Sequence, residues 1–200
     1  LDYVVPIKSG DGAKTAAVLY CMDTHAYCKM EDVGLYQWLS FDQIGRYRDW
    51  SAAFTKQNGG KPLPALMFMH YPLPEYDEAV TNNQVPLYGI RLEKNCSPCL
   101  NSGMFTALKE GGDVMGVFCG HDHDNDYSTM YYQVLLAYGR FSGGNTEYNH
   151  LRNGARIIVL YEDQRKLDTD IRERGGRVLC PTTYPDSYTK DDWKKRDGTR

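Results

Sequence analysis

Apolar and polar positions along this chain fall into blocks, and each block carries the period of one kind of element. The runs 3–8 and 14–22 read as strands, joined by Ser9-Gly10-Asp11-Gly12, whose glycines supply the positive φ of a tight hairpin. A helix is predicted from Phe41. Ser40 can cap it, Gln43 stands three residues on as the reciprocal partner, and Phe41, Ile44, Tyr47 and Phe54 form one stripe. Gly59-Gly60 ends that helix, and Pro62 and Pro64 prevent a restart. Residues 63–69 run almost unbroken in apolar side chains, the mark of a strand covered on both faces. The stretch 71–99, rich in Pro, Asn and aromatics, reads as a long irregular segment, and in a compact domain such a segment is usually functional or partly disordered. Ser102 is placed as the cap of a short helix over 104–110, closed by Gly111-Gly112. Residues 114–119 form a second buried strand, with further strands at 131–138 and 155–161. From about Asp163 the pattern turns polar, leaving 178–180 as a short edge strand and 190–200, with Lys194-Lys195-Arg196, as a solvated tail.

This order predicts an α/β (α+β) fold, a mixed β-sheet with helices on its face. The 200 residues, 42% hydrophobic and 24% charged, match a globular domain and argue against disorder. A net charge of -3 offers no basic footprint for nucleic acid, yet it does not forbid a phosphate substrate, because bound metal ions reverse the local field. No apolar run approaches the roughly 18 residues of a membrane span. The chain opens directly into an apolar strand, which reads as a cut, so a compartment signal would have preceded it. Cys21, Cys28, Cys119 and Cys180 stand among apolar or aromatic neighbours and read as buried free thiols. Cys96 and Cys99 form a C-x-x-C without the partners of a structural zinc site, leaving a local disulfide or two loop thiols.

The candidate chemistry lies where two apolar strands end. His70 follows Leu66-Met67-Phe68-Met69, and His121 and His123 follow Val117-Phe118-Cys119-Gly120. Ligands collect at the carboxyl ends of strands in α/β sheets, and Gly120 lets the backbone turn and another group come close. Two imidazoles one residue apart after a glycine suit metal binding better than packing, whereas His25 and His150 read as hydrogen-bonded structural residues. Asp122, Asp124 and Asp126 have the spacing of a calcium loop. Its sixth position would be Tyr127 and its twelfth Gln133, where glycine and a bidentate glutamate are required, so that reading fails. Asp122 and Asp124 are instead expected to accept hydrogen bonds from the ligand imidazoles and fix their orientation.

The segment Phe-Met-His-Tyr-Pro-Leu-Pro-Glu-Tyr around His70, followed by Gly-Val-Phe-Cys-Gly-His-Asp-His-Asp-Asn-Asp-Tyr around His121 and His123, resembles the last two metal motifs of the calcineurin-like metallophosphoesterases. The resemblance is to their purple-acid-phosphatase-like branch. It extends to Tyr-Cys-Met-Asp-Thr-His at 20–25, Leu-Asn-Ser-Gly-Met-Phe at 100–105 and Ala-Tyr-Gly-Arg-Phe-Ser-Gly-Gly at 137–144. It implies the C-terminal half of an αββα sandwich over 1–171, with 172–200 as an extension. It also implies a pair of metal ions (zinc, iron or manganese) acting on phosphate esters, with His70 and His121 on one ion and His123 on the other.

The family's earlier motifs, Asp-x-His, Gly-Asp-x-x-Asp and Gly-Asn-His-Asp or -Glu, do not appear in matching places. Asp23-Thr24-His25 has the letters of the first but follows the second strand, where a different family segment belongs. The bridging carboxylate and the proton-donating histidine are therefore not supplied here, nor is the plant-type pair of substrate histidines. Three neutral imidazoles do not offset two dications, so the chain is expected to hold at most one metal, weakly, and to carry no catalytic group of its own. A second reading, from another class, is an inert fragment or binding module. A half sandwich is also expected to expose apolar surface and self-associate through it.

Overall fold

The computed structural model of the chain describes residues 1–81, 85–144 and 149–188; the basic tail 190–200 expected to be solvated lies outside them. Two sheets face one another. The larger has the order β1-β2-β3-β4-β6-β5, from β1 (Tyr3–Lys8), β2 (Thr15–Cys21), β3 (Ala65–Phe68), β4 (Val114–Cys119), β5 (Ser128–Tyr131) and β6 (Val134–Tyr138). Its four inner strands β2, β3, β4 and β6 run parallel, and the edge strands β1 and β5 are antiparallel to their neighbours. The smaller, β7 (Gly154–Leu160), β8 (Leu167–Glu173) and β9 (Val178–Tyr184), is antiparallel throughout. This is the mixed α/β arrangement that the order of elements predicts.

Period-2 alternation divides the inner strands between two cores. Val18, Tyr20, Ala65, Met67, Val117, Cys119, Leu136 and Tyr138 face one side. There α1 (Phe41–Gln57), α2 (Glu75–Ala79) and α3 (Met104–Gly111) bring Ile44, Tyr47, Tyr76, Met104 and Leu108 onto them. Leu66, Met115, Phe118, Leu135 and Ala137 face the other side, under Leu167 of β8, Tyr184 of β9 and Tyr188. Every residue of β4 is buried, as two-sided coverage of a parallel strand requires. Each large apolar side chain so buried contributes about 1.5–3 kcal/mol.

The Ser40–Gln43 capping box forms as predicted. Gln43 also donates to Asp2 Oδ1 at 2.8 Å and to the Asp23 carbonyl at 2.7 Å, tying the helix to β1 and β2. The predicted stripe is shifted, since Phe41 is 80% exposed while Ile44 and Tyr47 are buried; the first residue of the helix projects beyond the sheet edge. Ser102 does not cap α3. The cap is Gly103 at φ 87 with no side-chain bond, a backbone conformation that L side chains rarely adopt, and Asn101 Oδ1 accepts from the Gly103 N–H at 2.9 Å. The single strand expected over 131–138 is two strands and a turn, with Tyr132 and Gln133 both at positive φ. The turn lacks the glycines that signal such hairpins. It is held instead by the Tyr184 hydroxyl donating to the Gln133 carbonyl at 2.9 Å and by Lys109 on the Tyr132 carbonyl at 2.5 Å.

Within the segment read as irregular, α2 carries Tyr76, whose hydroxyl donates to the Val117 carbonyl at 2.8 Å. The polar region after Asp163 contains β8, and the short edge strand expected at 178–180 extends to Tyr184 as β9. Position 171 falls within β8, and the sheet continues past it through the β8–β9 pairing.

Candidate metal centre

β3 and β4 are parallel neighbours in register, with Met67 opposite Val117 and Phe68 opposite Phe118, so both chains leave the sheet at one level. Past the exit a single carbonyl couples them. The backbone N–H groups of Gly120 and His121 donate to the His70 carbonyl at 3.2 and 3.1 Å. The side chains meet there too, His121 Nδ1 lying 3.1 Å from His70 Nε2. Edge-on contacts from Tyr36 and Tyr71, each with its ring centroid 4.7 Å away, hold the His121 ring. Gly120 is not at positive φ, and a Cβ there would meet nothing within 4 Å, so the close approach expected at this glycine does not occur among the described residues.

Burial lowers the proton affinity of both rings. For His70 the nearby His123 adds to the effect and the Asp122 charge opposes it; for His121 the Asp122 carboxylate opposes it, and the His70 and His123 rings add to it. The neutral form of both rings, the form that can ligate a cation, is therefore favoured. The ring of His123, near enough to both to act on their protonation, packs on Phe141, centroids 4.4 Å apart.

The three aspartates of the Asp-x-Asp-x-Asp run have three separate partners, and neither Asp122 nor Asp124 takes the role expected of it toward the ligand imidazoles. Asp122, 2% exposed, accepts on Oδ2 from the Tyr138 hydroxyl at 2.5 Å and from the Cys96 N–H at 3.1 Å, while its buried Oδ1 has no hydrogen-bond partner among the described residues. Asp124 accepts from the His150 N–H at 2.6 Å and pairs with its ring. That leaves His150 a structural histidine, as the sequence suggests. Asp126 is buried against the Ile90 N–H at 2.6 Å and the Arg140 guanidinium at 2.8 Å. Beyond Gly120 the chain turns under the loop 90–96: Asp122 and Asp126 accept from that loop and Asp124 turns to His150, while Asp122 stays within 4.8 Å of a His121 nitrogen without a hydrogen bond to it.

All six cysteines are free and only Cys119 is buried; Cys99 is exposed. Burial, with the hydrogen bond to Asp122 and its charge, pushes the Cys96 thiol up to about 11. Among the described residues one group of three brings its possible ligand atoms within 4.8 Å of one another: Cys96, His121 and Asp122. The three imidazoles of the sequence reading do not form such a group. His70 and His121 have the spacing of two ligands on one cation, since nitrogens around a tetrahedral zinc ion stand roughly 3.3 Å apart. For a dinuclear centre the fit is incomplete, because the described residues place no bridging carboxylate beside the pair.

An open, largely apolar groove of about 620 Å³ begins at His70 and Gly120 and passes Phe68, Phe118, Arg156 and Ile158. The residues that sequence reasoning missed, Tyr36 and Tyr71, come from loops in which no periodicity marks a position, and Cys96 was marked only as half of a C-x-x-C.

The fold is that of a calcineurin-like metallophosphoesterase. Within that class the chain's relatives are purple-acid-phosphatase-like. It is 35% identical over 179 residues to "Probable inactive purple acid phosphatase 14" of Arabidopsis thaliana, covering 86% of this chain and 43% of that protein. "Probable inactive purple acid phosphatase 29" of the same plant is 32% identical over 157 residues, 74% of this chain and 39% of the relative. "Phosphatase DCR2" of Saccharomyces cerevisiae is 30% identical over 173 residues, 80% of this chain and 29% of the yeast protein. The chain thus spans less than half the length of these relatives. A solved structure of a dimetal phosphatase from Danio rerio shares the fold at a TM-score of 0.58 and 12% identity, over 91% of this chain and 59% of that one. No family model matches the chain.

Proposed function

We propose that this chain is the C-terminal half of a metal-dependent phosphoesterase that hydrolyses phosphate esters at a dinuclear centre in the intact protein, with His70, His121 and His123 among its ligands. The observation that carries the reading is the His70–His121 pair, 3.1 Å apart at the ends of two parallel strands. Two bound metal ions would activate a water and neutralise charge on the phosphoryl group. On this reading this chain's own residues hold neutral imidazoles in place for such ions. The second reading, an inert fragment or binding module, is favoured for the 200 residues alone because, among the described residues, no carboxylate groups with both His70 and His121. The name "probable inactive" borne by two relatives points the same way.

The test is hydrolysis of p-nitrophenyl phosphate with added manganese or zinc, by this chain and by a longer one that includes the region preceding Leu1. The 200 residues are expected to give no turnover above background. The longer chain is expected to turn over and to lose about a hundred-fold or more on His121→Ala, since even residues that only support metal ligands cost 10–100-fold. An inert longer chain under all metals would remove the proposal, and turnover by the short chain would overturn its inactivity.

A further inference from the structure

The dinuclear reading leaves three features unused: a buried carboxylate oxygen without a partner, a half-buried thiol that forms no disulfide, and a long loop packed against the strand exit. They converge. We infer that Cys96, His121 and Asp122 form a mononuclear site for a divalent transition-metal ion of the zinc or cobalt type, with a fourth position open. This inference does not rest on the phosphoesterase reading.

The geometry is near what such an ion needs. One ligand atom from each residue lies within 4.8 Å of the other two, and ligands on a tetrahedral zinc ion stand roughly 3.3–3.6 Å apart, so contraction by about an ångström closes the site. The donors are also held in advance. The Tyr138 hydroxyl at 2.5 Å and the Cys96 N–H at 3.1 Å fix one oxygen of Asp122 and leave Oδ1 unsatisfied. A buried oxygen that accepts no hydrogen bond is the kind of vacancy a cation fills. Tyr36 and Tyr71 clamp the His121 ring. Asn95, the residue before Cys96, is buried and accepts from the Tyr127 hydroxyl at 2.8 Å, which anchors the loop carrying the thiol.

Charge favours the same set. Imidazoles alone bring no negative charge to a dication, whereas a carboxylate and a thiolate bring two. A mixed sulfur, nitrogen and oxygen set suits zinc or cobalt better than the hard cations magnesium and calcium. As the metal–sulfur bond forms, the Cys96 S–H bond breaks and its proton passes to solvent, with no change in oxidation state. Cys99 is exposed and takes no part.

Cobalt(II) chloride titrated into the reduced 200-residue chain under anaerobic conditions tests this directly. The expected spectrum has a thiolate-to-cobalt charge-transfer band in the near ultraviolet and the intense visible bands of a tetrahedral ion. Cys96→Ser should abolish the charge-transfer band and weaken cobalt binding about ten-fold or more, and Cys99→Ser should retain both. Circular dichroism establishes that each variant is folded. As a measurement free of variants, zinc should protect Cys96, and not Cys99, from iodoacetamide, as mapped by mass spectrometry. Cobalt binding without a thiolate band would mean imidazole ligation only; it would sink this inference and leave the phosphoesterase proposal standing. A band that survives Cys96→Ser, or no cobalt binding at all, would also overturn it.

Discussion

Arg140 shows how much of this molecule is decided by single buried charges. Its guanidinium is 1% exposed and bridges Asp126 at 2.8 Å and Glu173 at 2.9 Å, joining the turn after β4 to the end of β8. Removing it would strand two buried carboxylates, so Arg140→Ala should lower stability by about 3–5 kcal/mol, measured by urea denaturation. Asp124 and His150 form a pair with the opposite exposure. Burial raises the Asp124 carboxyl, but the hydrogen bonds and charge of His150 outweigh it and leave it low; the hydrogen bond to Asp124, with its charge, raises His150. The Asp124 part of this contact is lost as pH falls through its lowered value, and the His150 part as pH rises through its raised one, so the contact is fullest in the mildly acidic range between them. Proton NMR should find His150 titrating above the usual value of about 6.5, and Asp124→Asn should bring it down. At this scale the sequence was half legible. Gly-His-x-His after an apolar run announces imidazoles at a strand exit, and His70 and His121 do meet there, 3.1 Å apart. Nothing in the spacing of Tyr36 or Tyr71 marks them, because irregular loops deliver them; the C-x-x-C spacing marked Cys96 but not its neighbours His121 and Asp122, and the partners of Asp122 and Asp124 depended on which way the turn folds.

Among the elements, those with strong periodicity or clear punctuation were read from the chain. Residues 114–119 are β4 to the residue, and the capping box starts α1 where it should. Ser40→Ala should cost about 1 kcal/mol, with Ser40→Asp restoring most of it. Gln43→Ala should cost more, about 1–3 kcal/mol, because it also leaves Asp2 and the Asp23 carbonyl short of a donor; thermal melts of the three variants give the order. β8 was missed for a physical reason. Its inward positions Thr169 and Glu173 are polar, Thr169 donating to the Ile157 carbonyl at 2.7 Å and Glu173 accepting from Arg140 on Oε1, so the strand alternates in burial without alternating in hydrophobicity. The turn at Tyr132 and Gln133 was missed because tertiary hydrogen bonds replace its glycines.

For the whole molecule, the two-layer architecture followed from the order of elements, while the closing of the second sheet over one half of the first did not. On β1 the side chains of Tyr3, Val5 and Ile7 share one face and are 53%, 38% and 37% exposed, and Tyr3 borders the groove that reaches Phe68, Phe118 and Ile158. An apolar stripe joined to an apolar groove should drive self-association. Sedimentation equilibrium is expected to show mass rising with concentration, and Val5→Lys with Ile7→Lys should return the chain to a monomer; a wild-type monomer at all concentrations would contradict this.

The carbonyl of residue 70 accepts from two successive amides of the neighbouring strand's exit. The spacing of the two backbones that carry the imidazoles is consequently written into main-chain atoms, which no side-chain replacement can remove. Loops around the pair can drift in length and sequence, changing what approaches it and with what charge, while those backbones keep their separation. A lineage can thus lose catalysis by altering its loops and still carry the two histidines at an unchanged distance.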